Sequence, residues 1–190
     1  MSLVFVPMCN GQCIRFGEQS IIEGEIEGKR VLEVGSRDMN GSFRSIIMKF
    51  KPKEYIGVDI ENGSCVDKIC SIYDLVKEFG INSFDYVICT EVIEHLQGWQ
   101  LAINNLKDVC SPKGYILITT RSKGFGYHSY PEDYWRYSLF DMMNIFSDFI
   151  IWKLENDSID QAGVFVKVQK PDLWIRRNLF NISLHKMVKP

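Results

Sequence analysis

Short apolar runs and amphipathic stretches take turns along this chain from residue 30 onward. The apolar runs are rich in Val, Ile and Tyr and bounded by Gly, Pro, Asn or Asp. They predict strands at 30–34, 54–59, about 65–69, 84–89 and 115–120. Between them, apolar residues three and four apart predict helices over about 42–50, 72–79 and 96–110. The last of these stops where Ser111-Pro112-Lys113-Gly114 supplies a terminating proline and glycine. Another helix is expected over about 139–146, followed by strands at 149–154 and 163–168 that form a hairpin across the polar stretch 155–161. Strands that alternate with helices imply a parallel sheet with right-handed crossovers. The expected fold is therefore α/β, and residues 1–190 read as one domain. Residues 1–30 form a prelude with helical spacing at Ile21, Ile22 and Ile26, weakened by Gly24 and Gly28. Residues 171–190 form a basic, amphipathic tail, expected to be a terminal helix packed on its own domain. The same pattern also suits weak contact with a membrane surface.

Composition narrows the class. The 190 residues are 46% hydrophobic, enough for a sizeable core and against disorder. The net charge is -2, so no global positive field draws in nucleic acid, and no nucleic-acid partner is expected. No apolar run reaches the length of a membrane span, and 3–8 is too short for a signal segment. Cys70, Cys89 and Cys110 fall in apolar patterns, where a free thiol acts as a small hydrophobe. Reduced thiols point to the cytoplasm. Cys9 and Cys13 have metal-ligand spacing but no second pair, so no metal site is expected.

The chemistry concentrates at predicted strand ends. The first strand runs into Glu33-Val34-Gly35-Ser36, with a second glycine at Gly41, and the second strand ends in Asp59-Ile60. In open α/β sheets, ligands lie at the carboxyl ends of the strands. A carboxylate at Asp59 suits the two hydroxyls of a ribose. The first loop lacks the close glycine triplet of a dinucleotide site, and Glu33 and Asp38 would repel a pyrophosphate. These carboxylates suit a nucleoside cofactor with an ammonium and a sulfonium: S-adenosylmethionine. Beyond the fourth strand lie Thr90, Glu91, Glu94 and His95. Beyond the fifth, 126–137 carries four tyrosines, His128, Trp135 and Arg136, a density typical of recognition surfaces. His95 and His128 are candidate general bases. Tyr130, Tyr134, Trp135 and Arg136 are candidates for substrate binding, with Arg136 suited to an acidic group. The alternative for this loop is a lid in which Asp133 and Arg136 pair with each other.

In order and spacing, these features resemble class I S-adenosylmethionine-dependent methyltransferases, closest to the broad type 11 group. Residues 31–41 resemble the first motif, 55–60 the second, 84–96 the fourth strand and its exit, and 106–119 the helix and strand beyond. The resemblance implies a Rossmann-like, doubly wound, mostly parallel seven-stranded sheet with helices on both faces and a reversed last strand. It implies methyl transfer to an oxygen or nitrogen of a small molecule or glycan. Glu33, Gly35 and Ser36 would cradle the amino-acid end of the cofactor, Ile60 and Ile72 would sandwich the adenine, and Thr90 and Glu91 would line the methionine side. The loop departs from the family in being bulkier at 36–40. Ser71 stands near a position where many relatives carry an acid for the adenine amino group. The alternatives are a non-catalytic binding module on the same fold and, further off, an NAD(P)-dependent oxidoreductase.

Overall fold

The computed structural model describes residues 11–39, 41–128, 132–157 and 162–189. Its backbone is a seven-stranded sheet of β1 (Arg30–Val34), β2 (Glu54–Asp59), β3 (Lys68–Ile69), β4 (Phe84–Thr90), β5 (Cys110–Arg121), β7 (Ile150–Asp157) and β8 (Gly163–Gln169), in the order β3-β2-β1-β4-β5-β8-β7. The first five strands are parallel, and β8 runs antiparallel to both β5 and β7. The order of strand addition reverses between β1 and β4, so their carboxyl ends open a crevice at a topological switch point. The central strands β1 and β4 are buried along nearly their whole length. Buried parallel strands read as continuous apolar runs, which is why these two were plain in the sequence.

Helices cover both faces. On one lie α4 (Leu75–Phe79), α5 (Trp99–Val109) and α6 (Leu139–Ile145), packed around Leu32, Val87, Trp99, Leu106, Ile116 and Val166. On the other, α1 (Gly11–Ser20), α2 (Glu23–Ile26) and α3 (Arg44–Ile47) enclose Phe16, Ile26, Val31, Phe43, Ile88 and Leu117. Ser138 caps α6: its hydroxyl accepts from the Asp141 amide at 3.1 Å, and Asp141 accepts from the Ser138 amide at 2.8 Å.

Several elements are shorter than their periodicity suggests. Residues 42–50 hold one turn of α-helix and one of 3-10 helix, ended by Lys51 in the left-handed region at φ 51°. The helix expected over 72–79 opens as a 3-10 turn. That expected from 96 starts at Trp99, after a separate 3-10 turn at Ile93–His95. Strand β5 begins at Cys110, directly after α5, with an irregularity in register against β4.

The tail corrects the expected terminal helix. It runs extended across the α4–α6 face: Leu179 is buried, and Trp174, Ile182 and Leu184 pack against the core. It ends in β9 (His185–Lys186), which pairs antiparallel with β6 (Trp135–Arg136). Asp148 anchors the start of this strap. It accepts from Lys107 Nζ at 2.6 Å, Trp174 Nε1 at 2.9 Å and the Arg177 amide at 3.1 Å. The outward residues Leu173, Ile175, Phe180 and Val188 are exposed. Among the described residues, no helix is long and apolar enough to cross a membrane.

Candidate functional site

The crevice at the carboxyl ends of β1, β2 and β4 is a cavity of about 320 Å³. Gly35 makes it. Its φ of 74° lets the chain turn sharply off β1, and the Gly35 and Ser36 amides donate to the Val58 carbonyl at 2.9 and 3.1 Å. A Cβ on Gly35 would stand 2.3 Å from the Val92 side chain, which folds back over the turn. Val92 gets there because Glu91 adopts a left-handed φ of 56° at the end of β4. Glu33 and Gly35 line the cavity from β1, Asp59 and Ile60 from β2, Ser71 and Ile72 from beyond β3, and Thr90 and Glu91 from β4. Ser36 does not line it; its buried side chain packs against Gly57 instead.

The donor side is acidic and only partly satisfied. Glu33 is buried, with one carboxylate oxygen accepting from the Phe43 amide at 3.4 Å and the other without a partner among the described residues. Burial pushes its carboxyl up to about 8, against the pull of that amide and of Arg44. Asp59 is more open. Its oxygens accept from the Arg37 and Glu61 amides at 3.3 and 3.0 Å, while Arg37 pairs with Glu61. Ile60 is 61% exposed at the rim, and Ile72 is buried. The Ser71 hydroxyl caps the 3-10 turn by accepting from the Tyr73 amide at 3.2 Å. Two carboxylates and two isoleucines around one crevice suit a cationic, partly apolar ligand.

The far side is built by the β4 exit and the loop after β5. His95 lines the cavity beside Leu96, Gln97 and Tyr134. Its Nδ1 lies 2.7 Å from the Glu132 carbonyl oxygen, which can only accept, so Nδ1 carries the proton and a neutral ring leaves Nε2 free. His128 stacks edge-on against His95, with ring centroids 4.8 Å apart, and does not itself line the cavity. Asp133 takes the His128 amide at 2.9 Å and Nδ1 at 3.1 Å. Burial opposes the Asp133 charge, but hydrogen bonds from Arg136 and His128 outweigh it and hold the carboxyl well below its usual range. Glu94 is fully buried and accepts from Thr120 Oγ1 at 2.8 Å. Glu91 accepts from Thr119 Oγ1 at 2.9 Å and pairs with Arg121. Burial, with Cys13 and Glu94 close by, raises the Glu91 carboxyl well above its ordinary value, and Arg121 opposes the rise.

Two of the loop candidates have structural duties instead. Arg136 is 1% exposed, and its guanidinium donates to both Asp133 oxygens at 2.5 Å and to the Phe125, Gly126 and Trp135 carbonyls. It has no donor left for a substrate, which corrects its expected role. Trp135 donates its Nε1 to the Leu96 carbonyl at 2.9 Å and ties the loop to the β4 exit. Tyr134 does face the cavity, and Tyr130 lies outside the described residues. The Cys9–Cys13 spacing also falls partly outside them; Cys13 is buried and donates to Glu91 at 3.4 Å. Thr120 and Arg121 escaped the sequence reading. Their signal was a polar and a charged residue ending an otherwise apolar strand, opposite two acids.

Residues 16–156 match a family described as "Methyltransferase domain". Comparison with curated proteins finds no significant match. Among solved structures, the chain is similar to a Burkholderia thailandensis 1,6-didemethyltoxoflavin-N1-methyltransferase bound to its substrate and S-adenosylhomocysteine. The TM-score is 0.66 at 13% identity, over 84% of this chain and 79% of that one. It is also similar to an S-adenosylmethionine-dependent methyltransferase from Mesorhizobium loti, with TM-score 0.63 and 13% identity over 84% and 99% of the two chains. A Haemonchus contortus phosphoethanolamine N-methyltransferase in complex with S-adenosylmethionine gives TM-score 0.64 at 18% identity. There the match covers 84% of this chain but only 52% of the other. At these identities the likeness is one of fold.

Proposed function

Since the chain belongs to the methyltransferase-domain family, which takes its methyl group from S-adenosylmethionine, we propose that it methylates an oxygen or nitrogen of a small molecule at the crevice between β1 and β4. One observation carries this reading: Glu33 and Asp59 face a single cavity from adjacent strand ends, with the Gly35 turn between them. Glu33, with an unpartnered carboxylate oxygen, would take the ammonium of the cofactor, and Asp59 the ribose hydroxyls. Ile60 and Ile72 would bracket the adenine, with Tyr73 at its edge. A pyrophosphate in this crevice would meet the Asp59 carboxylate and no close glycine triplet, which speaks against a dinucleotide. Small-molecule acceptors fit the company of the toxoflavin and phosphoethanolamine enzymes, and a glycan is the alternative acceptor class.

The bound cofactor supplies an activated methyl group, and the sulfonium leaves as a neutral thioether without acid assistance. The chain's own work is alignment of the acceptor and exclusion of water. Tyr134, Leu96 and Gln97 form the acceptor wall. His95 lines this side of the cavity as the candidate base, with its Nε2 buried beside Glu94, and His128 stacks against its ring.

Calorimetric titration of S-adenosylhomocysteine, with NADH as the control, tests the reading. Binding by the wild type, weakened at least about tenfold in Asp59→Ala, is the expected outcome. Failure of the wild type to bind, or preference for NADH, overturns it.

A further inference from the structure

Glu94, His95 and His128 each offer a ligand atom, and these atoms all lie within 4.8 Å of one another. We propose that the three side chains form a divalent-metal site on the acceptor side of the cavity. Glu94 Oε1 and His95 Nε2 are buried, 3.9 Å apart, and neither has a hydrogen-bond partner among the described residues. Two buried polar atoms left facing each other are costly unless a third group sits between them.

The surroundings are those of a metal centre. Metal-binding imidazoles donate their second nitrogen to a carbonyl or carboxylate, which fixes the tautomer and aims the free nitrogen. His95 does so to the Glu132 carbonyl, and His128 to the Asp133 carboxylate. Glu94 is oriented by the Thr120 hydroxyl on its other oxygen. Asp133 is itself clamped by Arg136, so the outer support is rigid. Electrostatics agree. The nearby guanidiniums of Arg121 and Arg136 pair with Glu91 and Asp133, and Glu94 Oε1 faces His95 Nε2 instead.

Ligands roughly 2.1 Å from a common cation lie at most about 4.2 Å apart. The Glu94–His95 pair already meets that limit, and the widest separation, within 4.8 Å, would have to close by about 0.6 Å on binding. Two imidazoles and one carboxylate suit Zn²⁺, Mn²⁺ or Co²⁺ and leave positions open. Of the three, only His95 lines the cavity, so the cation would lie beside the acceptor wall, and its open position would have to reach the acceptor past the His95 ring. This role rests on the methyl-transfer reading; the site itself does not. There, a hydroxyl of the acceptor would be acidified by the cation rather than by His95 as a base. Its proton passes to solvent as the new O–CH₃ bond forms and the S–CH₃ bond breaks to the neutral thioether. The preferred acceptor is then an oxygen.

The test is titration of the chelator-stripped full chain with Co²⁺, followed by visible absorption, with Mn²⁺ binding followed by electron paramagnetic resonance. The expected result is one equivalent of each metal with nitrogen and oxygen donors. Binding should fall at least tenfold in Glu94→Gln and His128→Gln, and about 10–100-fold in the isosteric Thr120→Val, which removes only the orienting hydroxyl. Absence of stoichiometric binding to the folded wild type overturns the proposal. So does undiminished binding in the variants, or a thiolate-to-cobalt band showing cysteine ligation. S-adenosylhomocysteine affinity, measured on the same stripped chain, is a separate reading. Its loss with metal binding intact would sink the methyl-transfer assignment and leave the metal site standing.

Discussion

Glu33 carries the largest conflict between burial and charge on the donor side. Its carboxyl is raised from an ordinary 4.5 to about 8 by desolvation, so between those values the folded chain holds a proton that the unfolded chain has released. The stability this proton brings is complete below about 4.5 and is lost as pH rises through about 8. Glu33→Gln keeps the shape and removes the titration. Urea unfolding of the wild type should therefore lose stability between pH 5 and 8, by at most about 1.4 kcal/mol per pH unit. The variant should be flatter across the same window. Equal slopes in the two proteins would show that Glu33 is not the group responsible. The residue was legible in the sequence because an acid ended an apolar strand. Its elevated proton affinity was not, since that follows from the packing of Phe43 and the turn above it.

At the scale of elements, the loop after β5 is a structural clamp with a functional edge. Arg136 and Asp133 are paired and almost wholly buried, so removal of one leaves the other charged in the interior. Arg136→Ala should cost about 3–5 kcal/mol of stability in denaturant titration. A substrate-binding arginine at the surface would leave stability almost unchanged, and that result would restore its expected role. Strand order and the strand-end acids could be read from the chain because buried parallel strands write themselves as apolar runs. Helix ends could not, because 3-10 turns at 48–50, 72–74 and 93–95 share the apolar spacing of the α-helices they flank. The meeting of Glu94 and His95 with His128, more than thirty residues away, depends on how Asp133 and Arg136 fold the intervening loop. No local pattern encodes it.

Over the whole molecule, the extended strap at 170–189 closes the α4–α6 face and then braces the acceptor loop. Its inward residues are core and its outward ones are not: Leu179 is 1% exposed and Phe180 79%. Leu179→Ala should therefore cost about 2–5 kcal/mol, and Phe180→Ala no more than about 0.5 kcal/mol, both by urea unfolding. Similar losses in the two would mean that the strap is held in some other way. These residues look helical in spacing because apolar positions three and four apart also arise when an extended segment crosses an uneven surface. The strap lies beyond residues 16–156, the part that matches the family. Yet its Met187 amide donates to the Tyr134 carbonyl at 2.7 Å, and Tyr134 lines the cavity mouth. Donor machinery and acceptor wall thus share the inherited segment, while the brace behind that wall lies outside it. A change in the strap would therefore reach the cavity mouth through Tyr134 and leave the strand ends that hold the donor as they are.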